Sequence, residues 1–101
     1  MGTQILTEVA ARVDAQREEE LLAGFHRLLQ GPMPDGLVRT ELLRGADGEW
    51  RIQTLWTSRG ALDAMRALAE PPAAPTLFRN VGAEPHLTIL EVAGQYADPV
   101  P

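Results

Sequence analysis

One extended run of this chain carries two indoles and a hydroxyl on alternate positions: Trp50, Ile52, Thr54 and Trp56. Side chains of a strand alternate between its faces, so these four leave the same face. An indole can stack on a flat ring and donate one hydrogen bond from its N–H. Trp56 is therefore a candidate for gripping an aromatic ligand, with core packing under the following helix as the compatible alternative. Trp50, beside a turn, reads as surface or interface packing. Groups able to move a proton are scarce, since the only histidines are His26 and His86. His26 follows Phe25 beside an apolar helical stripe and fits a structural or solvent-facing role. His86 opens the last extended run after Pro85, on the face of Thr88 and Leu90, and is a candidate catalytic group. Arg79, next to Phe78, is a candidate holder of an anion. The strand-face pairs Glu8/Arg12 and Arg39/Glu41 suit contacts with solvent or a partner better than acid–base work.

Other chemistries are closed off by what is missing. With no cysteine among 101 residues there is no disulfide, no thiolate nucleophile and no sulfur-ligated zinc or iron–sulfur centre. No set of metal ligands or phosphate-cradling glycine motif is present, so neither metal nor cofactor is expected. A formal net charge of −5 argues against nucleic acid, whose phosphates need clustered cations. No apolar run approaches the ~20 residues of a membrane helix, and no basic segment followed by an apolar core opens the chain. No membrane association and a cytoplasmic location are expected.

Six elements must position these groups. Thr3 to Val13 alternates as a strand with two usable faces. Asp14 is placed to cap a helix, with Glu18, Glu19 and Glu20 early in it and an apolar stripe of Leu21, Leu22, Phe25, Leu28 and Leu29. Gly31, Pro32, Pro34 and Gly36 end that helix. Leu37 to Arg44 and Glu49 to Thr57 read as two strands joined through Asp47-Gly48, a strong hairpin signal. Ser58 caps a second helix with the stripe Ala61, Leu62, Met65, Leu68 and Ala69, broken by Pro71, Pro72 and Pro75. Thr76 to Val81 could add one helical turn, and His86 to Ala93 is the last strand.

The order β-α-β-β-α-β predicts an α+β, ferredoxin-like domain over residues 1–96, with a tail at 97–101. Four antiparallel strands would carry two helices on one face. Apolar residues stand on both sides of every strand, as in Ile5 and Leu6 or Leu87 and Leu90, and nothing is left to cover the second face. A partner copy is the simplest cover, giving a homodimer. The alternative is a semi-polar open face, given Glu8, Glu41 and Gln53.

The run from Arg51 to Ala64, RIQTLWTSRGALDA, resembles the strand-to-helix signature of antibiotic-biosynthesis-monooxygenase domains, and the likeness extends roughly from Thr3 to Val92. RNA-recognition and amino-acid-binding regulatory domains of the same element order fit less well. The resemblance implies a dimeric α+β barrel with a ligand pocket in each subunit between sheet and helices. It places Trp56 at the pocket wall; Thr54, Phe25, Leu62, Met65 and Phe78 are candidate substrate-binding residues beside it, and Arg79 and His86 are candidates over the pocket and at its mouth. It further implies a cofactor-free monooxygenase acting on an electron-rich, polyketide-like aromatic molecule. Where some of those enzymes carry a pocket Asn four residues ahead of the Trp, this chain has Ile52. Heme degradation, also found on this fold, calls for a His on the second helix, which has Met65 and Arg66 instead. A non-catalytic ligand-binding or pathway-accessory dimer is the alternative.

Overall fold

The computed structural model describes residues 3–96, so the tail expected at 97–101 lies outside the described residues. Four strands, β1 (Ile5–Arg12), β2 (Leu37–Arg44), β3 (Glu49–Trp56) and β4 (His86–Glu91), form one antiparallel sheet in the order β2-β3-β1-β4. Three helices, α1 (Glu18–Leu29), α2 (Arg59–Arg66) and α3 (Ala73–Asn80), connect them. This is the ferredoxin-like α+β arrangement expected from the element order.

Local chemistry sets the joints. Asp14 accepts a hydrogen bond from the Gln16 amide at 2.9 Å, but it caps a single 3-10 turn, Ala15–Arg17, that leads into α1. Asp47 and Gly48 both have positive φ (57° and 78°), and the Glu49 amide closes the turn on the Ala46 carbonyl. Those angles give a hairpin the twist of its strands. Ser58 accepts from the Ala61 amide at 3.1 Å and starts α2.

Two expectations are corrected. The segment after the second helix is an eight-residue helix, α3, where one turn at Thr76 to Val81 was expected. Pro72 precedes it and Pro75 falls in its first turn, where backbone N–H groups lack helical partners in any case, so neither proline breaks it. α2 in turn ends at Arg66, which leaves Leu68 of the expected stripe 61% exposed.

The register sorts the sheet into cross-strand rows. On the helix-covered face run Leu37–Trp56–Ile5–Glu91, then Thr40–Thr54–Thr7–Ile89, then Leu42–Ile52–Val9–Leu87, and at the hairpin end Arg44–Trp50–Ala11. The core beneath the helices comes in two parts. The larger joins Val9, Ala11, Trp50 and Ile52 to Leu21 and Phe25 of α1 and Phe78 of α3. The smaller joins Ile5 and Trp56 to Leu62 of α2. The threonine row lies between them. No layer covers the opposite face among the described residues. There the row Arg39–Leu55–Leu6–Leu90 is mostly apolar, whereas Glu41–Gln53–Glu8–Thr88 is polar.

Candidate active site

Because the two parts of the core meet only through threonines, the space above that row is not filled. A cavity of about 310 Å³ opens there, floored by Thr7, Thr40, Thr54, Ile52 and Trp56 and walled by Leu62 and Met65 of α2. The connection between α1 and β2 contributes Met33 and Pro34, and the start of α3 contributes Pro72 to Pro75. Gly36 lets that connection lie against α2. Its φ is 85°, its carbonyl accepts from the Thr57 amide at 2.8 Å, and a Cβ there would collide with Ala61.

The floor is a chain of hydrogen bonds. The Trp56 indole N–H donates to Thr7 Oγ1 at 3.2 Å, and the Thr7 hydroxyl donates to the Thr54 carbonyl at 3.4 Å. Thr40 and Thr54 hydroxyls lie 2.9 Å apart, so one donates to the other. Among the described residues the second hydroxyl proton of that pair has no protein acceptor and is the floor's free donor. The Trp56 N–H is already committed to the protein; what it offers a ligand is its ring.

The residues expected at the pocket divide. Thr54, Trp56, Leu62, Met65 and Arg79 all border the cavity. Phe25 and Phe78 do not, because α1 and α3 lay them over Trp50 and Ile52 in the larger part of the core. His86 pairs with Ala10 on the open face, and only its neighbours Pro85 and Leu87 reach the cavity. Its strand parity turns it away. Trp50 is 2% exposed, a core residue beneath the helices where surface or interface packing was expected. Its N–H donates to a Glu18 carboxylate oxygen at 3.1 Å, and the Arg44 guanidinium sits 4.7 Å from the ring centroid.

Three polar cavity residues were missed in the sequence: Thr7, Thr40 and Arg66. Thr7 alternates with Ile5 and Val9, which put it on a usable face, but pairing with Thr54 appears only once the register is known. Arg66 stands at the last turn of α2, where any basic residue is favoured by the helix dipole, so its position alone gave no sign.

Charge is distributed unevenly about the sheet. Among the described residues the cavity is bordered by two cationic side chains, Arg66 and Arg79, and by no carboxylate. The carboxylate whose environment is most built up, Glu8, lies on the open face. The Gln53 amide and the Arg51 guanidinium, at 2.8 Å and 2.9 Å, hold its carboxyl below the ordinary value of 4.5. Among the described residues no group of three or more His, Asp or Glu could hold a metal ion, and no helix is long and apolar enough to cross a membrane.

No family model matches this chain, and no curated protein matches it in sequence. Solved structures do match in shape. A protein from Caulobacter crescentus described as an antibiotic biosynthesis monooxygenase superposes with a TM-score of 0.73 at 17% identity, covering 92% of each chain. The cofactor-independent oxygenase SnoaB from Streptomyces nogalater gives 0.67 at 23% identity, over 96% of this chain and 98% of the other. A heme-degrading protein from Mycobacterium tuberculosis gives 0.71 at 24% identity, over 97% and 100%. With rows, helices and cavity already in place, these likenesses establish that the chain has the ferredoxin-like α+β fold of the antibiotic-biosynthesis-monooxygenase proteins.

Proposed function

We propose that this protein is a cofactor-independent monooxygenase acting on an electron-rich aromatic small molecule. The observation that carries the reading is the hollow between the two parts of the core, apolar at its walls and floored by Trp56 and the threonine row. Its volume lies at the small end of ligand-binding pockets. Phe25 and Phe78, which could have filled it, are packed elsewhere.

The chemistry asked of such a site is modest. An ionised anthrone-type or phenol-type substrate gives one electron to dioxygen, and the resulting radical pair couples through a new C–O bond to a peroxide. Loss of water from the peroxide at a former CH₂ leaves a carbonyl, so CH₂ and O₂ become C=O and H₂O. The protein supplies orientation and a dry surround. Trp56 stacks on the ring, and the free hydroxyl of the Thr40–Thr54 pair donates to a ring oxygen. α2 carries no histidine, which favours this substrate class over heme.

A homodimer is part of the reading. Leu55, Leu6 and Leu90 form an apolar row on the face that carries no helix, 45% exposed at Leu90 though buried at Leu55, and Glu8, Arg51, Arg39 and Glu41 beside it supply both signs of charge, as a self-complementary face requires. Light scattering on the eluting protein should report about twice 11.0 kDa at micromolar concentration.

The second reading, a binder without catalysis, is favoured by one observation: among the described residues no histidine or carboxylate borders the cavity to accept a proton. An oxygen electrode separates the two. Protein-dependent oxygen uptake with a panel of anthrones and hydroquinones, reduced in Trp56→Phe, supports the oxygenase. Saturable binding with uptake only at the spontaneous rate leaves the binder.

A further inference from the structure

The arginines of this chain have distinct occupations. Arg17, Arg39, Arg51 and Arg59 each lie within 4.0 Å of a carboxylate, as in the 2.9 Å pair of Arg17 with Glu20. Arg12 donates to the Asp47 carbonyl, and Arg44 lies over Trp50. Among the described residues Arg27, Arg66 and Arg79 have none of these partners, and two of the three border the one cavity floored by Trp56. Asp35, Asp63, Glu70, Glu84 and Glu91 stand on the segments around it, yet none borders the cavity, and Asp63 is engaged by Arg59. His26 is exposed on α1 and does not border it either.

A guanidinium offers five donors, no acceptor, and no proton to exchange at ordinary pH. A threonine hydroxyl is likewise no base near neutrality. The cavity can therefore attract and orient a negative charge, but among the described residues no side chain bordering it can create one by taking a proton from a neutral ligand. On the proposal that this cavity is the ligand site, we infer that it takes its ligand already ionised: an aromatic organic anion, its ring against Trp56 and its charge held by Arg66 and Arg79. For a substrate oxidised as its anion, ionisation happens in water before entry, and the site selects the ionised form.

A matched pair of dyes tests this. The probes are 8-anilinonaphthalene-1-sulfonate, a permanent anion, and N-phenyl-1-naphthylamine, which has the same rings without the sulfonate. Each is followed by its own emission on the full chain. The sulfonate should saturate one site per chain and bind at least about tenfold more tightly than the neutral amine, or about 1.4 kcal/mol. In Arg66→Gln/Arg79→Gln that preference should vanish while the neutral amine binds as before, and Arg66→Lys/Arg79→Lys should keep part of it. Both arginines are exposed, so far-UV circular dichroism should show these variants folded. Sulfonate binding should also stay level from roughly pH 6 to roughly pH 9, since the sulfonate is a permanent anion and no histidine borders the cavity among the described residues.

Equal affinity for the two dyes, unchanged by the arginine substitutions, would overturn the anion assignment and leave the ligand site standing. A step in the pH profile would overturn the absence of a titrating group. If neither dye binds and Trp56 emission is unmoved, the ligand site itself falls, and this inference with it.

Discussion

Trp50 and Trp56 leave the same face of the same strand at its two ends, and they have opposite fates. Around Trp50 everything is closed: Glu18 takes its N–H, Arg44 covers its ring, and α1 and α3 bring Phe25 and Phe78 over it. Around Trp56 only the short α2 arrives, its N–H turns inward to Thr7, and a cavity remains beside it. Strand periodicity decides which face a side chain leaves. The number and length of the helices above it decide whether it becomes core or wall.

The largest effect that should separate the two ends is on stability. Phe78, fully buried, belongs to the closed, larger part of the core, so Phe78→Ala should cost about 3–5 kcal/mol. Leu62→Ala, also at a buried position, borders space that is already empty and gives up fewer contacts. Its cost should fall near the low end of about 2–5 kcal/mol for such truncations. Urea unfolding of both variants measures the difference, and equal losses would mean that the two ends are packed alike.

Next in size is the optical response of the two indoles. In Trp50→Phe, which leaves only Trp56, an anthrone-type or hydroquinone-type ligand should quench the remaining emission by stacking. In Trp56→Phe the same ligand should leave Trp50 emission unchanged. Removing the Trp56 indole also deletes a buried hydrogen bond to Thr7, for a loss of about 1 kcal/mol in unfolding experiments. Quenching of Trp50 alone would place the ligand at the hairpin end.

The smallest effect belongs to the open face. Glu8 is held below its ordinary 4.5, first by the Gln53 amide and then by Arg51. A carboxyl depressed in the folded state contributes stability that is fully present above its unfolded value and is lost as pH falls through the folded value. Acid unfolding should therefore gain a component below about pH 4.5 that Glu8→Gln removes. A variant whose acid profile matches the parent would show that the network has no net effect on folding.

Much of this arrangement was legible in the sequence because local chemistry fixes local structure. Asp47-Gly48 specified its hairpin, Ser58 its helix start, and the six-element order its sheet. What stayed hidden depended on distance. The stripe of α1 showed that Phe25 is buried, but not that it lies over Trp50 and away from Trp56. The parity of His86 with Thr88 and Leu90 was readable. Apolar residues on both faces left open which of them the helices cover, so a residue of the uncovered face passed as a pocket candidate. The prolines before Thr76 read as breakers because their tolerance depends on where a helix begins, and α3 begins among them.

The place of β1 in the sheet has a consequence for how the chain is made. Ile5–Arg12 pairs with β3 on one side and β4 on the other, and both follow it in the chain. At roughly 5–20 residues per second of synthesis, β1 waits seconds for β3 and longer for β4. Through that interval its amides are bonded to water, and Ile5, Val9 and Val13 have no sheet to join. β2 and β3, joined by their tight turn, close on each other within about 1–10 μs once both are free. A nascent chain thus meets its pairings in one sequence, the hairpin first, then β1 against it, then β4 against β1. The spatial order β2-β3-β1-β4 is the order in which the ribosome makes each new neighbour available.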